Sequence, residues 1–270
     1  MNEDLMPVKT ILDHGYLKLV ETWGSDQRIV ESARMSTGKG FLGWGVEETC
    51  EGCDGSGTGT KMRGHGPGSL CPRCQGRKRA INRPGDEKLL KYLYDNKHAT
   101  PFEVAGATFE IMAPIFVFRE WHRHRTQSYN EQSARYEPLP DLNYVPSVER
   151  LLLNSKTNKQ AGTIKGAAEL TEPGARDFQD AIVSLYASAE GVYQQALKEG
   201  VPKELARLVL PVGRYSRMRA SANLRNWLAF LTLRDDPHAQ WEIRQYAATL
   251  REMLTGSFPR TMAIFGDGRP

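Results

Sequence analysis

Apolar and polar positions alternate between residues 9 and 22, the period-two pattern of a hairpin or single strand, and the spacing from Asp26 to Met35 predicts a helix. A second helix is predicted over Asp86 to Asn96, with Leu89, Leu90 and Leu93 on its core face. Phe102 to Phe118 reads as long strands; its end, Ile111 to Phe118, is rich in strand formers and broken only by Pro114. Pro138, Pro140 and Pro146 predict an extended path. Asn154 to Gly174 is polar and glycine-punctuated and reads as a mobile surface loop. Helical spacing then recurs over Ala175 to Glu199, Lys203 to Leu210, Ser221 to Leu233 and His238 to Gly256. The expected class is α+β, a central sheet with a helical second half and a small inserted module.

A chain of 270 residues, 40% hydrophobic and 25% charged, has room for one large core plus a small module. No stretch reads as a membrane span, and Met1 to Leu5 lacks a basic region followed by an apolar one, so the expected location is cytoplasmic. The net charge of +4 is too mild to imply a polyanion partner. It is unevenly placed: between Cys50 and Arg83 seven Lys or Arg stand against two acids, and the remainder is near −1.

The same segment holds all four cysteines, as Cys50-x2-Cys53 and Cys71-x2-Cys74 with seventeen residues between the pairs, a spacing that predicts a structural zinc site. Gly52, Gly55, Gly57 and Gly76 give the knuckles freedom to turn amides toward sulfur. A disulfide framework does not suit a chain without a secretion signal, and four Cys ligands leave no open position for substrate. With few apolar residues to bury, the module depends on metal to fold. Its basic run Arg77-Lys78-Arg79 suits either a solvated linker or contact with nucleic acid or a partner. Gly38-Lys39-Gly40-Phe41-Leu42-Gly43 spells a dinucleotide pattern, but a helix precedes it and none follows, so it is not read as a nucleotide site.

The densest chemistry lies in Arg123-His124-Arg125-Thr126-Gln127-Ser128-Tyr129-Asn130-Glu131-Gln132-Ser133-Ala134-Arg135-Tyr136. Guanidinium forks match phosphate oxygens, and Ser and Asn complete the hydrogen bonding. As an extended segment it would put Arg123 and Arg125 on one face and His122 and His124 on the other. Glu131 inside the cationic cluster repels a nucleic-acid backbone but suits a ribose hydroxyl, which favours a small-anion site over a nucleic-acid surface.

Arg123-His124-Arg125, seven residues, then Ser133 resembles the signature of the flavin-dependent thymidylate synthases, and the expected fold is ThyX-like. The resemblance extends to Ser32-Ala33-Arg34-Met35-Ser36, His98-Ala99-Thr100-Pro101-Phe102-Glu103, Ala206-Arg207-Leu208-Val209-Leu210-Pro211, Asn223-Leu224-Arg225, and Leu233-Arg234-Asp235-Asp236-Pro237-His238-Ala239-Gln240-Trp241-Glu242. It implies residues 1–39 and 86–270 as the synthase domain and 40–85 as an insertion, whose Cys-x-x-Cys-x-Gly-x-Gly start is similar to DnaJ-type zinc repeats. It implies FAD, NADPH, methylenetetrahydrofolate and dUMP as ligands, dTMP as product, and a homotetramer with shared sites. FAD falls to Ser36, Thr100, Arg123, His124, Arg125, Glu131, Asn223, Arg225 and His238. The nucleotide falls to Glu120, Arg123, Glu131, Gln132, Ser133, Arg135, Arg207 and Arg234, with Arg234 as the activating residue; Glu120 stands where some relatives carry Gln. His98 suits either a proton shuttle or a packing role. Two other readings stay open: a flavin-dependent transferase making another 5-substituted dUMP, and a zinc-containing nucleic-acid-binding protein.

Overall fold

The alternation before residue 23 folds as a hairpin, β1 (Val8–Ile11) against β2 (Gly15–Trp23), with Ile11 opposite Gly15. A computed structural model describes residues 8–59, 68–82, 85–153 and 168–267 of the chain. The described residues form two compact units, one within 8–23 and 106–257, the other within 24–105 and 258–267.

The first unit is built on an antiparallel sheet of order β1-β2-β5-β7-β6, where β5 is Gly106–Pro114, β6 Ser128–Glu131 and β7 Tyr215–Asn223. Central β5 is nearly buried along its length, whereas β7 buries Met218, Ala220 and Ala222 and turns Arg217 and Arg219 out. Two expectations are corrected here. Strand β7 was not anticipated, and the helix expected over Ser221 to Leu233 starts only at Leu224, as α7 (Leu224–Arg234). The sheet therefore is not confined to the first half of the chain. Small alanines on the buried face of β7 weaken the alternation, and Asn223 caps α7 by accepting from Asn226 N at 3.0 Å.

A further correction concerns Ile115 to Phe118. After Pro114 this run forms α3 (Ile115–Trp121), whose Val117, Phe118 and Trp121 are buried at helical spacing. Tertiary burial overrides the strand preference of the β-branched residues. The expected strand start at Phe102 is also displaced: Thr100–Glu103 is a 3₁₀ turn and β5 begins at Gly106.

Helix α4 spans Val148–Leu152, α5 Glu172–Lys198, α6 Lys203–Ala206 and α8 Trp241–Ser257. Thr171 caps α5, so the loop expected up to Gly174 gives way to helix at Glu172; residues 154–167, with Lys156 and Lys159, lie outside the described residues. The core layers α7 and α8 on the sheet. Trp227 donates to Ala107 O at 2.9 Å and meets Phe109 edge-on at 5.2 Å, and Tyr246 donates to Met112 O at 2.8 Å.

The second unit contains α1 (Asp26–Arg34), a hairpin of β3 (Glu47–Thr49) and β4 (Arg79–Ile81), α2 (Glu87–Asp95) and α9 (Pro259–Asp267). Buried Asp86 gathers the Arg34 guanidinium and, at 2.8 Å, Leu42 N. Asp26 accepts from Arg260 N at 2.8 Å and from Thr261 N at 3.1 Å, capping α9, which sequence spacing did not predict. Among the described residues no helix is long and apolar enough to cross a membrane.

Candidate functional site

The signature departs from the extended geometry expected for it. Arg123 to Gln127 run through turns after α3, and only Ser128–Glu131 pair, as β6, with β7. Arg123 and Arg125 are exposed, and among the described residues neither guanidinium has a hydrogen bond or ion pair. Tyr129 staples the turns by donating to His124 O at 2.7 Å and Trp121 O at 3.1 Å, and Asn226 of α7 holds Thr126 O at 3.0 Å.

Within this frame Arg234, the last residue of α7, reaches back to the signature. Its Nε donates to His124 Nε2 at 2.9 Å, Nη1 to Glu120 Oε2 at 2.6 Å and Nη2 to Glu120 O at 3.0 Å. Burial, and after it the Arg234 charge, pull the His124 pKa down to about 4, against a smaller opposing effect of Glu120. A neutral imidazole is what the Arg234 bond requires, since Nε2 must present a lone pair. Glu120, expected among the nucleotide contacts, thus faces Arg234.

A second grouping surrounds a cavity of about 300 Å³ lined by Arg119, His122, Glu131, Gln132 and Arg207 on an apolar floor of Ile115, Phe118, Ala134, Leu139 and Leu210. His122 Nε2 lies 4.0 Å from Glu131 Oε2, and Gln132 accepts from Arg217 Nε at 3.1 Å. Ser133 Oγ accepts from Arg135 N at 3.3 Å; Arg135 pairs with Glu204 at 3.2 Å, and Arg207 Nε donates to Glu204 O at 3.3 Å. Glu131 and Gln132 share one cavity with Arg207, which is distant from them in sequence. Arg119 and Arg217 were not singled out in the sequence, and His122 was named only for the face it would share with His124; for Arg217 the alternation of Arg217 and Arg219 with Met218 and Ala220 was the available signal.

Arg225 is exposed in the first turn of α7, and His238 is exposed with Nδ1 2.8 Å from Asp236 Oδ1. Ser36 and Thr100 belong to the second unit, where Ser36 Oγ donates to Ala33 O at 3.2 Å and Thr100 opens a 3₁₀ turn. The His98 ring centroid lies 5.7 Å from that of Tyr92.

In the cysteine module the four Sγ atoms lie within 4.8 Å of one another and all four residues are buried. The two knuckles are built alike. Asp54-Gly55 and Gln75-Gly76, each directly after the second Cys of its pair, all adopt positive φ. Gly57 has no room for a side chain, since a Cβ would stand 2.8 Å from Gly76 O, and its amide donates to Cys53 Sγ at 3.3 Å. Backbone amide donation to sulfur favours thiolate, and four converging sulfurs make a closed metal-binding set.

An antiparallel sheet backed by helices carries the arginine-rich turn, and four buried cysteines form a cluster suited to a metal ion. The family model "Thymidylate synthase complementing protein" matches residues 18–260. A flavin-dependent thymidylate synthase from Thermosipho africanus is 35% identical over 255 residues, covering 94% of this chain and 92% of that one. One from Thermus thermophilus is 34% identical over 258 residues, covering 94% and 77%. Among solved structures, a UMP/dUMP methylase, PolB from Streptomyces cacaoi, bound with 5-Br UMP, superposes with a TM-score of 0.69 at 28% identity, covering 96% of each chain. The chain belongs to the flavin-dependent thymidylate synthase family.

Proposed function

We propose that the chain carries out the reductive methylation of dUMP to dTMP, with methylenetetrahydrofolate as one-carbon donor and NADPH as reductant acting through FAD. The observation that carries the reading is the Arg234–His124–Glu120 cluster, set beside two arginines whose guanidiniums have no protein partner among the described residues. Arg123 and Arg125 have the donor set a pyrophosphate needs, and Asn223, Arg225, His238, Ser36, Thr100, His124 and Glu131 complete the proposed FAD contacts. When bound, the flavin supplies the hydride that reduces the transferred carbon. Glu131, Gln132, Ser133, Arg135 and Arg207 bind the nucleotide, with Glu131 on the ribose and the arginines on the phosphate; Arg123 and Arg234 complete the pocket.

The cysteines are gathered in the metal set, so no thiol activates the uracil ring. Activation falls to Arg234, a permanent cation that stabilises negative charge at N3 and raises the nucleophilicity of C5. Zinc suits the four-thiolate set, and residues 40–85 form an inserted module folded around it; any nucleic-acid contact is confined to that module. The reading places the chain in the cytoplasm as a homotetramer; Phe178, Leu185 and Val192, exposed every seventh residue along α5, and exposed Leu205 and Leu208 are apolar surface that association between copies would cover.

The test is the visible spectrum of the FAD-reconstituted protein on addition of NADPH, with and without dUMP, followed by the product mass. Bleaching accelerated by dUMP and a product of dTMP mass are expected. A protein that cannot be loaded with FAD sinks the reading, and another product mass replaces dTMP with a different 5-substituted nucleotide.

A further inference from the structure

We propose that Glu120 is a positioning residue that holds the Arg234 guanidinium ready for the substrate, and not itself a nucleotide contact. The proposal rests on the reading of Arg234 as the group that activates the uracil ring. Arg234 is long and flexible, yet its guanidinium is gripped at all three nitrogens: Nη1 by Glu120 Oε2 at 2.6 Å, Nη2 by Glu120 O at 3.0 Å and Nε by His124 Nε2 at 2.9 Å. One residue thus supplies two of the three acceptors, one from its side chain and one from its backbone. Of the five guanidinium N–H groups, two are left for a ligand.

The charges support the assignment. A carboxylate aimed at a nucleotide phosphate repels it, whereas Glu120 has an obvious cation to face. The Arg234 side chain is 15% exposed and that of Glu120 is 40% exposed, so the pair sits at the edge of solvent with its guanidinium mostly covered. Such an arrangement removes side-chain freedom before substrate arrives, so less reorganisation is needed during reaction. Glu120 is the next-to-last residue of α3 and Arg234 the last of α7, so both ends of the clamp rest on helices. The backbone bond to Glu120 O survives any substitution, which makes the side-chain bond separately testable.

The experiment compares steady-state kinetics of the FAD-loaded Glu120→Ala, Glu120→Gln and Arg234→Ala variants with the parent, alongside flavin content and circular dichroism. Glu120→Ala is expected to lower kcat about 10- to 100-fold while the KM for dUMP stays within about threefold, because displacement of a catalytic group costs rate before it costs binding. Glu120→Gln keeps an acceptor oxygen and is expected to restore kcat to within about threefold of the parent. Should Glu120→Ala fail to fold, Glu120→Asp withdraws the carboxylate from Nη1 and provides the same comparison. A parental kcat in Glu120→Ala, a Gln variant as slow as the Ala variant, or a loss confined to KM each overturns the proposal. Full activity in Arg234→Ala removes the underlying reading and the positioning role with it; an inactive Arg234→Ala beside a normal Glu120→Ala removes the positioning role alone.

Discussion

Arg234 donates its Nε–H to Nε2 of His124 across 2.9 Å, which makes His124 a neutral imidazole carrying its proton on Nδ1. The two residues are 110 positions apart in the chain, and the bond joins the end of α7 to the signature turn.

Acid stability should report this bond. Burial first and the Arg234 charge second lower the His124 pKa from 6.5 to about 4. Above 6.5 His124 is neutral in both folded and unfolded chains and adds no pH dependence. As pH falls from 6.5 toward 4, the unfolded chain takes up a proton that the folded one refuses, so stability declines through that window. Allowing for the partial exposure of the ring, the loss is about 1–2 kcal/mol. His124→Asn, which retains an acceptor but cannot titrate, should flatten the slope of urea-unfolding free energy between pH 6.5 and 4; an unchanged slope would place the acid sensitivity elsewhere.

Arg214 is fully buried, donating from Nη1 to Asp141 at 2.9 Å and Pro140 O at 2.8 Å, with its Nη2 on Glu190. Arg214→Met keeps the apolar stem but strands the largely covered Glu190 carboxylate, and is expected to cost about 3–5 kcal/mol. Adding Glu190→Gln should return part of that. A denaturant midpoint equal to the parent's in the single variant would contradict this account.

Asp26 is buried at 5% exposure and caps α9, accepting two backbone N–H groups and the Thr261 hydroxyl at 2.6 Å. Asp26→Ala leaves those donors unsatisfied and is expected to destabilise the protein by about 1–3 kcal/mol. Asp26→Asn should be milder, since its amide oxygen still accepts. Thermal melts of both variants provide the comparison.

Metal analysis of the purified protein should find one zinc per chain. Chelation, or Cys74→Ser, should expose the cysteine module to protease, because the four cysteines and Ala80 are the only buried hydrophobic cluster among its described residues. Protection that survives complete metal removal would show that the knuckles fold without it.

Much of this was readable in one dimension. Alternation over residues 9 to 22 pointed to a hairpin or a single strand, of which the hairpin forms, α2 follows from Leu90 and Leu93 on one face, and the thiolate set from two Cys-x-x-Cys pairs. These are local patterns, in which residues a few positions apart dictate the geometry. The misreadings share the opposite cause. Ile115 to Phe118 carries strand formers yet folds as helix because Val117, Phe118 and Trp121 must meet the core together. Strand β7 hides behind alanines, since burial between neighbouring strands needs no large side chain there.

The candidate site divides along the same line. Residue type and spacing singled out Arg123, His124, Arg125, Glu131 and Ser133 as candidate site residues and grouped Cys50, Cys53, Cys71 and Cys74 as one candidate ligand set. Only the tertiary structure decided that Arg234 is gripped by Glu120 and His124, that Arg207 shares a cavity with Glu131, and that Arg123 and Arg125 are exposed, without partners among the described residues. The reason is physical: side chains a hundred residues apart meet only where strand register and helix packing bring their backbones together, and neither is encoded in the spacing of the residues that meet.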